Sequence, residues 1–287
     1  MPELPEVETI RQSLSPLLLS CEVKEIEMFC PEVVIQYGDA PVLNTFIFDL
    51  RRRGKYLLLD LSKDRSVSQH VSTIMVHFRM TGKLLYKDSF EEAAKHTHVR
   101  FHLSDESGEK RYLDFNDVRR FGRVWLLPPG GEKLDPGFSR LGPEPLSAEW
   151  TAANFFSQIK RRPRSTVKAL LLNQEVVAGV GNIYCDEALF RAGIHPASRN
   201  ESLSESDALR LQEAVREVIA EGIGHKGTSF SDYVDGLGNT GHFQLQLKVF
   251  QREGEACHVC GSEIEKIRVA GRGTHFCPVC QPLEKKD

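Results

Sequence analysis

Residues 257–280 read CHVCGSEIEKIRVAGRGTHFCPVC, and this stretch carries the strongest local signal for a defined fold. Its two Cys-x-x-Cys pairs, Cys257 with Cys260 and Cys277 with Cys280, are separated by sixteen residues, a spacing typical of four-cysteine zinc sites. Each pair can direct two thiolates at one tetrahedral ion, and a closed shell of four sulfurs leaves no position open for catalysis. We therefore predict one structural Zn2+ that stabilises a β-hairpin too short to fold by itself.

The tip of this predicted hairpin places Arg272 between two glycines, where the backbone can approach a ligand closely. Taken alone, an arginine in such a turn is more often solvated than functional. A redox role for the paired cysteines is disfavoured because neither pair lies in a β-α-β context. The remaining cysteines, Cys21, Cys30 and Cys185, are scattered, and we interpret them as buried hydrophobic residues.

The sequence between residues 147 and 222 is predicted to be helical. A segment rich in proline and glycine, 128–145, precedes it and predicts a linker. Ser147 would cap the first helix, the second would cover residues 165–172, and the third would follow the AGVGN turn. The fourth carries apolar residues on one face and would end at Gly222.

The N-terminal half has the sequence pattern of a β-protein. From about residue 22 to 128 apolar and polar residues alternate, as in residues 46–50, which predicts an antiparallel sandwich or barrel. A helix is predicted to begin almost at the terminus, with Pro5 in its first turn, and Pro16 is predicted to end or kink it. Alternation returns in residues 243–249 and predicts one more strand before the cysteines.

The composition limits the class of protein. The 287 residues are 40% hydrophobic and 27% charged, which is typical of a globular protein long enough for two domains. No stretch approaches the roughly 18 apolar residues that a membrane span needs. The N-terminus lacks the basic region and the apolar run of a signal peptide. We therefore expect a cytoplasmic location.

The distribution of positive charge is more informative than its sum. A formal net charge of −3 argues weakly against a nucleic-acid partner. The basic residues nevertheless gather in three clusters: Arg51, Arg52, Arg53 and Lys55; Arg119, Arg120 and Arg123; and Lys160, Arg161, Arg162, Arg164 and Lys168. Any one such run is usually a solvated face. Three clusters, each beside a candidate motif, favour a polyanionic partner.

Five motifs occur in one order along the chain. They are MPELPEVET at 1–9, RRRGKYLLL at 51–59, DVRRFG at 117–122, VAGVGNIYCDEALFRAGIHP at 177–196, and the cysteine module with GRGTHFCPVCQ, which ends at residue 281. Together they resemble the formamidopyrimidine-DNA glycosylases, bacterial enzymes that excise oxidised purines. The resemblance covers essentially the whole chain, and the order of the motifs makes coincidence very improbable.

The resemblance implies an α+β fold in successive domains. We expect an N-terminal catalytic antiparallel β-sandwich with flanking helices at 1–134 and a linker at 135–146. A helix-two-turn-helix DNA-binding domain with a lesion-covering loop would occupy 147–242, and the four-cysteine zinc β-hairpin would occupy 243–287. The implied partner is double-stranded DNA that contains oxidised bases, bound by a monomer associated with the nucleoid.

The resemblance also implies the catalytic residues. Removal of Met1 would expose the secondary amine of Pro2, a competent nucleophile that forms a Schiff base. Glu3 matches the general acid-base residue, and Lys55, expected on a strand, matches the lysine of β-elimination. Arg272 matches the arginine of δ-elimination. Glu6, one helical turn after Glu3, is expected to hydrogen-bond the terminus; without the resemblance, both glutamates would be interpreted as favourable charges at a helix start.

The remaining implied site residues contact DNA. Met80, Arg119 and Phe121 match the residues that fill the space left by a flipped-out base. Contacts to the DNA backbone are implied for a further set: His96, Lys168, Asn182 and either Arg162 or Arg164. His77 is interpreted either as a phosphate contact or as a buried histidine.

The chain departs from the family pattern at two places. Lys226-Gly227 stands where the family often has two glycines, and VFQREGEAC at 249–257 replaces a usual tyrosine-glycine and a proline.

Two alternatives to the purine enzyme are an endonuclease VIII-type glycosylase for oxidised pyrimidines and a catalytically silent zinc DNA-binding protein. Leu4, with Arg119 and Phe121, favours excision of 8-oxoguanine and formamidopyrimidines, followed by β,δ-elimination.

Overall fold

The computed structural model describes residues 1–230 and 233–283. The chain forms two compact units, Met1–Arg140 with His225–His242, and Leu141–Gly224 with the residues from Phe243 onwards. The segment 225–242 thus belongs with the N-terminal residues, whereas the domain boundaries drawn from the sequence grouped it with the helices. Those boundaries stay a prediction.

The first unit consists of a long N-terminal helix, a β-sheet and a short helix. Its elements are α1 (Leu4–Leu18), β1 (Glu22–Met28), β2 (Val34–Gln36), β3 (Thr45–Arg53), β4 (Tyr56–Ser62), β5 (His70–His77), β6 (Gly82–Lys87), β7 (Thr97–Ser104), β8 (Lys110–Asp117), β9 (Arg123–Leu127) and α2 (Pro136–Ser139).

The strands described for this unit form one sheet that folds over on itself. Their order is β2-β9-β5-β4-β3-β1-β7-β8-β6, and every neighbouring pair is antiparallel except β2 with β9. In a flat sheet β5 and β6 would lie roughly 29 Å apart, at about 4.8 Å for each strand. Only residues 78–81 connect them, and such a link spans at most about 18 Å. The sheet therefore closes into two layers, which confirms the predicted sandwich.

Apolar side chains from both layers and from α1 form one core. Leu14 of α1 packs in the same buried cluster as Val76, Leu84 and Phe101 from three different strands. The helix does not end at Pro16, as the sequence had suggested, but continues to Leu18. The proline removes a single backbone hydrogen bond in the last turn, and the burial of Leu14 and Leu18 offsets that loss.

In its described residues, the second unit contains four helices and a hairpin. They are α3 (Ala152–Arg161), α4 (Val167–Leu172), α5 (Asn182–Arg191), α6 (Glu205–Gly224), β10 (Glu265–Val269) and β11 (Arg272–Phe276). Across residues 1–230 and 233–283, no helix is long and apolar enough to cross a membrane.

Three local predictions for this unit were wrong. Ser147 does not cap α3, because Thr151 accepts the amide of Asn154 at 3.2 Å instead. Gly222 lies inside α6, which continues for one half-turn to Gly224.

The strand expected at residues 243–249 is also absent from the described structure, which has a 3-10 turn at Phe243–Leu245. The carboxylate of Glu187 accepts the amides of Lys248, Val249 and Phe250 at 2.8–3.0 Å. Because a side chain binds these amides, they are not available for a strand ladder.

Candidate active site and nucleic-acid interface

The chain terminus is held at the start of α1. Pro2 is buried, and Glu3 occupies the N-cap position with an extended backbone. Glu3 and Glu6 form a capping box, in which the Glu6 carboxylate accepts the amide of Glu3 at 2.8 Å. Such a box satisfies amides that a helix start would otherwise leave without partners. The Glu6 carboxylate thus binds the backbone amide next to Pro2, and its expected hydrogen bond to the terminus itself stays a prediction.

The loop that follows α6 is bound to the same helix. The second oxygen of Glu6 accepts the amide of Thr228 at 2.7 Å. Gly227 has a φ of +76°, and a Cβ there would lie 2.9 Å from the Glu6 carboxylate. Thr228 was not identified from the sequence, where its only signal was the glycine that precedes it.

Two further hydrogen bonds extend this attachment along α1. The Tyr233 hydroxyl donates to the carbonyl of Glu6 at 3.2 Å, and the amide of Gly236 donates to Ser13 Oγ at 3.0 Å. Burial raises the pKa of Tyr233, so its hydroxyl stays protonated and remains a donor. The loop and the terminus thus share one helix as their support. Ser231 and Asp232 lie outside the described residues.

Lys55 lies in the hairpin turn between β3 and β4, not on a strand as predicted. Gly54 and Lys55 form a two-residue connection, since Arg53 pairs directly with Tyr56. Gly54 has a φ of +56°, which a tight hairpin turn of this length requires at its first position. Lys55 is buried although it lies in a turn.

His77 is a neutral buried histidine beside this turn. Its Nδ1 accepts the amide of Arg79 at 3.0 Å. Burial, and then the positive charges of Arg79 and Lys55, lower its pKa to about 3. The ring of Tyr56 packs against it edge-on at 4.6 Å between centroids. Of the two interpretations left open for His77, the structure favours the buried histidine.

Met80, Arg119 and Phe121 form an exposed group on two loops of the sandwich. Met80 is 38% exposed and Phe121 51% exposed, although large apolar side chains are usually buried. The Arg119 guanidinium lies over the Phe121 ring, 4.7 Å from its centroid. A stacked cation and two solvent-exposed apolar side chains are suited to bases rather than to water.

Asp117 organises both loops, although it was not identified from the sequence. Its buried carboxylate accepts the amides of Arg119 at 3.1 Å and Gly122 at 2.7 Å, and also the hydroxyl of Thr81. The Asp117 amide donates to the carbonyl of His96 at 3.0 Å. This one aspartate therefore connects the Met80 loop, the Arg119–Phe121 loop and His96. Its sequence signal was the turn preference of an aspartate at the start of DVRRFG.

In the second unit, three predicted residues meet at strand β11. Arg272 is exposed at its start, and Asn182 Nδ2 at the start of α5 donates to the carbonyl of Gly273 at 3.0 Å. Lys168 is fully buried, and its ammonium contacts Asp186 at 2.5 Å and Thr274 at 2.8 Å. The contact between Lys168 and DNA stays a prediction, because protein groups surround this ammonium.

The two arginines of the third basic cluster differ in exposure. Arg162 at the end of α3 is half-buried and donates to Gln158 Oε1 at 2.6 Å. Arg164, two residues further on, is exposed, and its backbone carbonyl accepts a hydrogen bond from Arg199. Arg164 is thus the one that presents more of its side chain to solvent.

The four cysteines of the hairpin module converge. Their sulfurs all lie within 4.8 Å of one another. The distances from Cys257 to Cys280, 3.9 Å, and from Cys260 to Cys277, 3.4 Å, are close to the roughly 3.8 Å between sulfurs of a tetrahedral site with Zn–S bonds of about 2.3 Å. Hydrogen bonding to Ser262 lowers the pKa of the Cys260 thiol to about 6, which favours the thiolate that binds metal. The donor set fits the predicted structural Zn2+.

Comparison with known proteins gives a consistent result along the chain. Residues 1–124 match the model of the formamidopyrimidine-DNA glycosylase N-terminal domain, residues 141–234 that of the formamidopyrimidine-DNA glycosylase H2TH domain, and residues 254–283 that of a zinc finger found in FPG and IleRS. The formamidopyrimidine-DNA glycosylase of Desulforamulus reducens is 45% identical over 286 residues, 98% of this chain and 99% of the relative.

Solved structures agree with these matches. The crystal structure of the MutM (FPG) protein of Thermus thermophilus has a TM-score of 0.85 and 40% identity, and the match covers 99% of this chain and 100% of that one. A mutant FPG of Lactococcus lactis in complex with a Fapy-dG containing DNA has a TM-score of 0.86 and 34% identity, over 98% of this chain and 100% of that one.

Proposed function

Because the chain belongs to the formamidopyrimidine-DNA glycosylase family, we propose that it excises 8-oxoguanine and formamidopyrimidines from duplex DNA and then cleaves the strand. The chain is a DNA glycosylase of base excision repair with AP lyase activity. The residue assignments rest on the buried Pro2–Glu3 terminus. The Glu6 carboxylate accepts the amide of Glu3 and the amide of Thr228, and so holds this terminus beside the loop that contains Thr228.

The reaction begins with the amine of Pro2. After removal of Met1, a secondary amine with an α-amino pKa near ~8 is partly neutral at pH 7 and can act as a nucleophile. It forms a bond to C1′ of the damaged nucleotide as the N-glycosidic bond breaks. The departing base leaves with the electron pair of that bond and takes up a proton, and the N–H proton of the new Pro2 ammonium passes to water. Glu3 donates a proton to the ring oxygen, which opens the sugar and leaves an iminium on Pro2.

Two eliminations then cleave the strand. The iminium acidifies C2′, whose proton is lost as the C2′=C3′ double bond forms and the 3′ phosphate departs with its electron pair. Loss of the C4′ proton forms the C4′=C5′ double bond and expels the 5′ phosphate. We assign the first elimination to Lys55 and the second to Arg272, because a cation near each departing phosphate lowers the barrier. Hydrolysis of the iminium then regenerates the Pro2 amine.

The target base must leave the duplex before this chemistry. Met80 and Phe121 are exposed and apolar, which supports a role in filling the vacated space and wedging the stack. Arg119, stacked on Phe121, would hydrogen-bond the orphaned base. We propose phosphate contacts for His96, Asn182 and Arg164, the last preferred over Arg162 for its exposure. Lys168, predicted as a further phosphate contact, instead has a buried ammonium that binds Asp186 and Thr274, so we propose an internal role for it.

The remaining parts of the proposal concern partners and location. Double-stranded DNA is the partner of this class of enzyme, and we propose that the protein acts on it as a monomer in the cytoplasm. One Zn2+ bound by the four cysteines stabilises the hairpin. One alternative keeps the glycosylase and lyase chemistry but prefers oxidised pyrimidines, as an endonuclease VIII-type enzyme does. The other alternative is a DNA-binding protein that has lost this chemistry.

Borohydride trapping tests the chemistry, and a substrate panel tests the specificity. The protein, with Met1 removal checked by mass spectrometry, is incubated with duplexes that contain 8-oxoguanine, a formamidopyrimidine or an oxidised pyrimidine. We expect a covalent adduct and release of the purine lesions, and at least ten-fold less adduct with Pro2→Gly. Undiminished trapping by Pro2→Gly contradicts the nucleophile, and no adduct with any duplex indicates the silent protein.

A further inference from the structure

A buried chain of polar groups ends on the backbone of Arg272. The Asp186 carboxylate on α5 lies 2.5 Å from Lys168 Nζ on α4, and both side chains are fully buried. Lys168 Nζ also donates to Thr274 Oγ1 at 2.8 Å. The Thr274 hydroxyl in turn donates to the carbonyl of Arg272 at 3.0 Å. Two hydrogen bonds thus connect an ion pair inside the helices to the first residue of β11.

Two further bonds fix the backbone beside Arg272. The other oxygen of Asp186 accepts the amide of His275 at 2.9 Å, and Asn182 Nδ2 donates to the carbonyl of Gly273 at 3.0 Å. Asp186 therefore acts at both ends of the segment 272–275. A carboxylate without solvent must be compensated by a cation and by donors, so this geometry cannot relax without exposing a charge.

Lys168 uses its donors within this cluster. An ammonium has three N–H donors, and three acceptors surround this one: Asp186 Oδ1, Thr274 Oγ1 and, at a longer 3.5 Å, the carbonyl of Gly273. The arrangement therefore gives the lysine an internal role in holding β11 to α4.

We propose that Asp186, acting through Lys168 and Thr274, is a positioning residue for Arg272. Arg272 itself is exposed and follows a tight turn in which Ala270 and Gly271 have φ values of +51° and +72°. A long side chain on a loosely held turn would sample many positions, and misplacement of a catalytic group by about 1 Å can cost a factor of about 100 in rate. The inference rests on the proposed role of Arg272 in the second elimination.

The substitutions Thr274→Val and Asp186→Asn test this proposal. Valine removes the hydroxyl from the chain with little change in volume, and asparagine removes the charge. Single-turnover reactions on an 8-oxoguanine duplex report base release, the β-elimination product and the δ-elimination product separately. We expect both variants to slow conversion of the β product to the δ product at least five-fold, with base release within two-fold of wild type. Arg272→Ala provides the reference behaviour.

Two controls separate positioning from general damage to the fold. Thr274→Ser keeps the hydroxyl and should restore the wild-type ratio of δ to β product. Glu187→Gln alters the neighbouring buried carboxylate of α5, which binds the amides of 248–250 and not β11. It should lower the Tm without changing the product ratio. Zinc content and Tm are measured for every variant.

Several results would overturn the proposal. An unchanged product ratio in Thr274→Val and Asp186→Asn would exclude the positioning role. The positioning role would also be excluded if Thr274→Val and Asp186→Asn lost base release and both eliminations in parallel and Thr274→Ser did not restore them. A wild-type protein that releases the base but stops at the β product would remove this inference with the role of Arg272, and would leave the glycosylase proposal intact. Absence of base release from the wild type would instead contradict the proposed function itself.

Discussion

Glu6 and Thr228 are joined by a hydrogen bond of 2.7 Å although 222 positions separate them in the sequence. The same carboxylate accepts the amide of Glu3. A single side chain therefore supports the segment that carries the proposed nucleophile and the loop that follows α6. Hydrogen bonds to a charged acceptor contribute about 1.5–3 kcal/mol each, so this carboxylate is a strong determinant of the local geometry.

Replacement of this carboxylate should weaken both contacts. Glutamine offers one acceptor oxygen, and the NH2 of its side-chain amide is a donor that would face a backbone N–H, so Glu6→Gln should lower the free energy of unfolding by about 1–3 kcal/mol. Base release should slow about ten-fold, measured in single turnover. Glu8→Gln on the same helix is the control, because the Glu8 carboxylate binds Arg11 and Arg52 and not the amides of Glu3 and Thr228, so base release should be unchanged. Equal effects of the two substitutions would contradict this prediction.

His77 makes stability depend on pH. Its pKa is lowered to about 3 in the folded protein, whereas an unfolded histidine has a pKa of about 6.5. Between these values the unfolded chain binds more protons, so the free energy of unfolding falls as the pH drops from 6.5 towards 3. His77→Gln should therefore show a shallower loss of Tm between pH 7 and pH 4.5. His102→Gln, on the sandwich surface, is the control, and an unchanged slope for His77→Gln would exclude His77 as the cause.

The two departures from the family pattern place side chains in the left-handed region. Lys226 has a φ of +59° and Gln251 a φ of +58°, a conformation that costs a residue with a Cβ about 1–2 kcal/mol. Glycine removes this strain but loses more entropy on folding, so Lys226→Gly and Gln251→Gly should each stabilise the protein by about 0.5–1 kcal/mol. Thermal unfolding measures the gain. Lys226→Ala and Gln251→Ala retain a Cβ and should not stabilise the protein. A gain in stability equal to that of the glycine variants would contradict strain at these positions.

Loss of a zinc ligand should affect DNA binding before it affects the sandwich. Cys277→Ser removes one thiolate from the four-sulfur site, so the bound zinc should fall from one equivalent towards zero, measured by elemental analysis. Fluorescence anisotropy should show at least ten-fold weaker binding of lesion DNA, equal to ~1.4 kcal/mol. Cys185→Ser, a buried cysteine of α5, is the control and should keep its zinc. Full affinity in a zinc-free Cys277→Ser protein would exclude the hairpin from DNA binding.

Local patterns predicted most elements correctly. The spacing of the four cysteines predicted a site whose sulfurs do converge, and alternation over residues 22–128 predicted the sandwich. Two of the errors have a common cause, since each concerns a residue whose partner is distant in sequence. The strand expected at 243–249 is absent from the described structure because Glu187 binds its amides, and α1 continues past Pro16 because Leu18 is buried in the core.

The candidate site likewise combines residues that sequence motifs identified with residues that only the structure identified. Pro2, Glu3, Lys55 and Arg272 came from motifs in the sequence, and their roles stay predictions. Thr228 and Asp117, which support the terminus and the exposed loops, had only weak turn signals and were not identified. Lys168 was predicted from a motif as a DNA contact, yet its ammonium is enclosed by Asp186 and Thr274.

The sequence by itself determined which chemical groups this protein has: the cysteine ligands, the order of the motifs, the alternation of the strands and the family to which they belong. These are properties of spacing and residue type, and short-range geometry follows from them. The tertiary structure alone decided which carboxylates are buried and what they bind, as with Glu6, Asp117 and Asp186. A buried carboxylate takes its partners from whatever the fold brings within about 3 Å, and no local pattern records that distance.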